Sequence, residues 1–200
     1  MTVQTPRTLL QMAGVNAAAP AVGDCVLLLI DMQREYVDGG LPLTGVDAAL
    51  AEAERLLTWA RGEGVPVVHI RHRGPPGGLF DPAAPNFALH ESVAPLEGEL
   101  VIDKVKPNAF ADTDLAERLR ETGRPTLVVA GFMTHMCVSS TVRSALDHGL
   151  QCVVVSGACA TRDLPDVNGG TLAASALQAA ELAGLADRFA TVLPDAKAVA

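Results

Sequence analysis

Residues 25–31 read Cys-Val-Leu-Leu-Leu-Ile-Asp, six apolar side chains in an unbroken row and then a carboxylate. A strand wetted on one face alternates apolar with polar residues, whereas an unbroken row marks a strand covered on both faces. Such a strand needs helices above and below its sheet, and the sequence downstream supplies them. Residues 46–61 carry Ala49, Ala53, Leu56, Leu57 and Ala60 at helical spacing and stop at Gly62 and Gly64, a residue type that accepts the left-handed conformation found after helices. Strand then alternates with helix, with strands at 65–70, 100–104, 126–132, 152–156 and 191–193 and helices at 112–123, 137–148 and 171–185. The pattern predicts a three-layer α/β/α sandwich on a mostly parallel six-stranded sheet with right-handed crossovers. Residues 1–23 are read as an N-terminal arm and residues 24–200 as one domain. Residues 71–97, rich in Gly, Pro and His, fit no regular element and are long enough to roof a site.

Charge and composition narrow the partners. A net charge of −8 with no cluster of Lys or Arg argues against a phosphate-backbone footprint, so no nucleic acid is expected. Apolar rows such as 26–30 and 126–130 are too short to cross a bilayer, so no membrane partner is expected. Residues 1–23 lack the basic start and apolar core of a secretory signal, and the expected compartment is cytoplasmic. Cys25, Cys137, Cys152 and Cys159 show no C-x-x-C spacing, so neither a disulfide framework nor a zinc framework follows. No G-x-G-x-x-G or G-x-x-x-x-G-K-[ST] follows a predicted strand, which argues against a nucleotide- or flavin-binding module and leaves no cofactor expected.

In a parallel sheet of this kind ligands sit beyond the carboxyl ends of the strands. Three reactive side chains fall there: Asp31 after strand one, Lys104 after strand three and Cys137 soon after strand four. Each has a plainer reading, Asp31 as a carboxylate satisfied by backbone amides and Lys104 as a solvated charge. Cys137 opens a predicted helix, whose N-terminus favours the thiolate. Cys25 and Cys152 read as packing residues, while Cys159, also just past a strand, stays ambiguous.

Three segments then resemble the isochorismatase-like cysteine hydrolases, a superfamily that includes nicotinamidases and N-carbamoylsarcosine amidases. They are Leu28-Leu-Ile-Asp-Met-Gln33, Val101-Ile-Asp-Lys-Val-Lys-Pro-Asn-Ala-Phe110 and Val128-Val-Ala-Gly-Phe-Met-Thr-His-Met-Cys137. In the second segment the family's lysine stands six residues before a phenylalanine, a register that selects Lys104 over Lys106. The resemblance implies a Rossmann-like fold and a catalytic trio of Asp31, Lys104 and Cys137. It also implies a cis Phe132-Met133 peptide and an oxyanion hole from the Met133 and Cys137 amides. The implied chemistry is thiolate attack on a carbonyl, with cleavage of a C–N bond in a small amide or N-carbamoyl compound through a thioester. Lys104 and the helix dipole are both expected to lower the Cys137 pKa. A homo-oligomer, dimer or tetramer, is implied as well.

The sequence departs from two branches of that superfamily. Nicotinamidases carry an Asp-x-His metal pair after strand two, where this chain has His69-Ile-Arg-His72. The aspartate is missing, and two histidines three apart in an extended segment point to opposite sides, so no metal is expected. Isochorismatases, which cleave a vinyl ether, have a glycine at the position of Cys137, so the thiol argues for acyl transfer, with ether hydrolysis as the alternative. Gln33, Tyr36, Arg71, His72, Phe80, Phe87 and Thr134 are the candidate substrate contacts, with Arg71 and Arg73 expected to face the crevice and hold a carboxylate. His90 and His135 are candidates for the pocket lining, or loop histidines bonded to backbone or water.

Overall fold

Six parallel strands stand side by side in the order β3-β2-β1-β4-β5-β8 in the computed structural model, which describes residues 5–15 and 17–200. They are β1 (Cys25–Ile30), β2 (Val67–His72), β3 (Leu100–Lys104), β4 (Thr126–Phe132), β5 (Gln151–Ala160) and β8 (Thr191–Leu193). The helices are α1 (Leu9–Met12), α2 (Val46–Gly62), α3 (Leu115–Thr122), α4 (Ser139–Asp147) and α5 (Ala174–Arg188). A two-stranded antiparallel ribbon joins β6 (Leu164–Pro165) to β7 (Thr171–Leu172). Among the described residues no helix is long and apolar enough to cross a membrane.

The unbroken row of β1 is buried on both faces. Cys25, Leu27 and Leu29 pack in one layer with Ala49, Ala53 and Leu56 of α2. Val26, Leu28 and Ile30 pack in the other with Leu115, Leu119, Val142, Ala145 and Leu185 of α3, α4 and α5. The period of two sends alternate residues to opposite helical layers, so both layers demand apolar side chains. Strand order reverses between β1 and β4, which opens a crevice where the two chains leave the sheet in different directions.

Gly131 makes the close approach at that crevice possible. Its φ is +145°, and a Cβ there would lie 2.2 Å from the Ile30 carbonyl oxygen. No side chain fits between β4 and the end of β1.

Several boundaries differ from the sequence reading, each for a local reason. β2 lies at 67–72, so His72 belongs to the strand end. Thr171 and Leu172 are taken by the β6–β7 ribbon, and α5 begins only at Ala174, whose N–H is accepted by Asp163 Oδ1 at 2.7 Å. β5 runs to Ala160 past a register shift against β4 between Val129 and Gly131. A π turn, Thr134–Val138, precedes α4, so Cys137 sits inside that turn and α4 starts two residues later.

Candidate active site

Asp31, Lys104 and Cys137 come from three distant stretches and meet at the carboxyl end of the sheet. Asp31 follows β1 with φ +53°, a left-handed conformation that short polar side chains tolerate, and its N–H donates to the Ile70 carbonyl at 2.9 Å. Lys104 ends β3, two strands away, and its Nζ donates to Asp31 Oδ2 at 2.6 Å with both side chains fully buried. The other carboxylate oxygen, Oδ1, has no hydrogen-bond partner among the described residues. One ligating atom each of Asp31, His72 and Cys137 lie within 4.8 Å of one another, and His72 Nδ1 stands 3.3 Å from Lys104 Nζ. Cys137 is 4% exposed, so its sulfur is recessed.

Aromatic rings enclose this cluster. Tyr36 packs against Phe80 and Phe132 with ring centroids 5.0 and 5.9 Å apart, and Phe80 meets His72 edge-on at 5.2 Å. Burial raises the Asp31 carboxyl against the pull of Lys104. The Cys137 thiol is pushed up to about 12 by burial and by the Asp31 carboxylate, with Lys104 opposing both. Lys104 lowers the thiol pKa as expected, but desolvation outweighs it and the net shift is upward. Burial thus favours the protonated form of the resting sulfur. Burial and Lys104 lower His72 to about 4, so its imidazole is neutral.

The Phe132–Met133 peptide is cis. The Met133 carbonyl accepts the N–H groups of Met136 and Val138 at 3.0 and 3.3 Å. Among the described residues, the N–H groups of Met133 and Cys137 make no backbone bond outside the π turn.

The candidate substrate contacts divide. Tyr36, His72 and Phe80 surround the cluster, whereas four others are committed elsewhere. Gln33 is fully buried, its amide nitrogen donating to the carbonyls of His72 and Phe87 at 3.0 and 2.9 Å and its oxygen accepting the His72 N–H at 2.7 Å. Thr134 is fully buried and donates its hydroxyl to the Ala160 carbonyl at 3.1 Å. Arg71 pairs with Asp103 at 2.7 and 3.1 Å and lies 4.3 Å over the Phe87 ring, which occupies that phenylalanine as well. The reason is parity: His72 faces the cluster, so its neighbours Arg71 and Arg73 leave the strand on the other side. His69 likewise points away, bonding Glu99 at 3.0 Å. His90 bonds Ser92 at 2.9 Å and caps a turn.

Arg162 was missed. Its Nε is buried without a hydrogen-bond partner among the described residues, and its charge acts on both Tyr36 and His135, whose Nδ1 meets Thr161 Oγ1 at 2.6 Å. Strand-end logic would have found it had β5 been drawn to Ala160 instead of Ser156. A groove of about 730 Å³ opens beside the amino ends of β2 and β3, lined by Arg61, Val65, Leu96, Glu99 and Leu100 among others, and no cysteine lines it.

A doubly wound sheet that gathers a carboxylate, an ammonium and a thiol at its switch point defines a class of α/β hydrolases. The chain belongs to the isochorismatase family, whose isochorismatase domain matches residues 25–196, and it is a hydrolase. It is similar to the uncharacterised isochorismatase family protein YddQ of Bacillus subtilis, 43% identical over 169 residues that cover 83% of this chain and 93% of that one. Maleamate amidohydrolase of Pseudomonas putida is 38% identical over 146 residues, 64% of this chain and 68% of its own length. The crystal structure of an isochorismatase from Pseudomonas putida KT2440 superposes with a TM-score of 0.91 at 44% identity, covering 96% of this chain and 99% of that one.

Proposed function

We propose that this chain hydrolyses a C–N bond in a small amide or N-carbamoyl compound through a thioester on Cys137. The observation that carries the reading is the buried convergence of Asp31, Lys104 and Cys137 at the β1–β4 crevice. Asp31 Oδ1, which has no other hydrogen-bond partner among the described residues, takes the thiol proton as the sulfur attacks the carbonyl carbon. Lys104 stabilises the negative charge that this transfer moves from the carboxylate to the sulfur in a dry site, where the thiol would otherwise stay protonated. The Met133 and Cys137 amides receive the developing oxyanion. Collapse expels the amine, which takes its proton from Asp31, and water then attacks the thioester with Asp31 as base. The second product is a carboxylic or carbamic acid, and the thiol is restored.

Arg162 extends the reading to the far end of the substrate. A guanidinium whose Nε has no hydrogen-bond partner among the described residues and whose charge is felt by Tyr36 suits a compound that carries a carboxylate as well as an amide. The similarity to maleamate amidohydrolase supports that direction. Exposed Leu9, Met12 and Val15 in the N-terminal arm fit self-association, and size-exclusion chromatography is expected to give a dimer or tetramer.

The test is ammonia release from a panel of small amides and N-carbamoyl compounds, with and without a carboxylate. The wild type should turn over at least one carboxylate-bearing member and Cys137→Ala none. Hydrolysis of a vinyl ether that survives Cys137→Ala would favour the ether-cleaving alternative.

A further inference from the structure

The ammonium of Lys104 has to cross a strand to do its work. Lys104 ends the edge strand β3, while Asp31 follows β1, with β2 between them. At roughly 4.8 Å per strand the charge is carried about 10 Å sideways. The residue in register with Lys104 on the intervening strand is His72, and both share a parity with Ile70 and Ile102, which pack in the layer that holds Cys137. The lysine chain therefore passes beside the imidazole on its way to the aspartate.

We infer that Gln33 and His72 are positioning residues, Gln33 clamping the backbone of residue 72 and the imidazole so held accepting a hydrogen bond that aims Lys104 between Asp31 and Cys137. The inference rests on the reading of those three residues as the catalytic trio. Gln33 grips residue 72 at both its N–H and its carbonyl, at 2.7 and 3.0 Å, which fixes the strand end from which the ring projects. The Lys104 side chain is fully buried, so its three N–H groups need protein acceptors or substrate. Asp31 takes one at 2.6 Å and His72 Nδ1 a second at 3.3 Å, leaving the third for the sulfur side.

A neutral acceptor suits this position better than a second carboxylate would. Two anions around one ammonium would cancel its charge and leave Cys137 facing net negative potential. An imidazole with its proton on Nε2 orients the ammonium and subtracts nothing from its field. The titratable groups around the sulfur are Asp31 beyond β1, Tyr36 after it, His72 on β2 and Lys104 on β3. Among them Lys104 alone favours the thiolate.

The comparison of His72→Asn with His72→Leu isolates the hydrogen bond. The two side chains have nearly equal size and enlarge the opening alike, but only asparagine places an acceptor oxygen where Nδ1 stands. The readout is the rate at which methyl methanethiosulfonate, a small neutral thiol reagent, modifies Cys137 at pH 8, located by peptide mass spectrometry. His72→Leu should react about tenfold more slowly than His72→Asn, because a less firmly held ammonium favours the thiolate less. In a Lys104→Met background the two should react at the same rate, since the hydrogen bond has lost its donor. Equal rates for Asn and Leu with Lys104 intact would overturn the inference and reduce His72 to packing. The acyl-enzyme reading fails separately: amide turnover that survives Cys137→Ala would end it, while the Asn-to-Leu ratio would still report where the ammonium is held.

Discussion

Lys104 ends β3, Lys106 lies two residues beyond it, and both reach an aspartate, Lys104 meeting Asp31 at 2.6 Å and Lys106 meeting Asp112 at 2.7 Å. The first pair is fully buried, whereas the side chains of the second are 55% and 68% exposed. Equal distances conceal opposite physics. In water the exposed pair is screened and contributes little. In the crevice the same charges are desolvated, and each is offset by the other, with an imidazole and a sulfur beside them. The comparison teaches that burial, and not distance, separates a screened surface pair from one able to act on a neighbouring thiol.

The largest expected effect is on turnover. Cys137→Ala should lower amide hydrolysis by about 10⁴-fold or more, to the level that binding and the oxyanion donors sustain alone. Lys104→Met should come next, costing about 3–5 kcal/mol of stability because it strands Asp31 in an apolar site. Lys106→Met should leave the Tm and the turnover close to wild type.

The pH dependence of the Lys104→Met variant follows from the direction of the Asp31 shift. Burial already raises that carboxyl, and removal of Lys104 takes away the charge that opposes the rise. A group whose folded pKa lies above its unfolded value stabilises fully below the unfolded pKa, about 3.9 for aspartate, and loses that contribution as pH rises towards the folded pKa. Lys104→Met should therefore lie closest to wild type near pH 4 and fall away from it towards pH 8, measured by urea unfolding at both.

Gly131→Ala probes the scaffold instead of the charges. A methyl group 2.2 Å from the Ile30 carbonyl oxygen forces β4 away from the end of β1, with an expected cost of about 2–4 kcal/mol. Smallest in stability but clear in sign is the thiol itself. With its proton held up to about 12, reaction of Cys137 with methyl methanethiosulfonate should accelerate about tenfold per pH unit from pH 7 to 9, without a plateau. A plateau near neutrality would mean that Lys104 outweighs burial.

Much of this was legible in the chain. The unbroken row at 25–30 foretold a strand buried on both faces, and the strand-end rule picked Asp31, Lys104 and Cys137. Parity was legible too, since His72 and Lys104 share the phase of Ile70 and Ile102, a signal that separates His72 from Arg71 but was not followed. Other features were out of reach. Desolvation of Cys137 depends on long-range burial that no local pattern reveals. The length of β5 was hidden by Ser156 and Gly157, polar and small residues inside the strand, and with it went Arg162. Gln33 looked like a substrate contact because a buried amide bonded only to backbone leaves no mark in sequence.

Acid-quenched peptide mass spectrometry tests the central claim most directly. Enzyme stopped during turnover of any amide it hydrolyses should carry the substrate's acyl group on the peptide containing Cys137, labile to hydroxylamine and absent from Cys137→Ala. Steady hydrolysis with that peptide unmodified at every quench time, and undiminished in Cys137→Ala, would contradict the account.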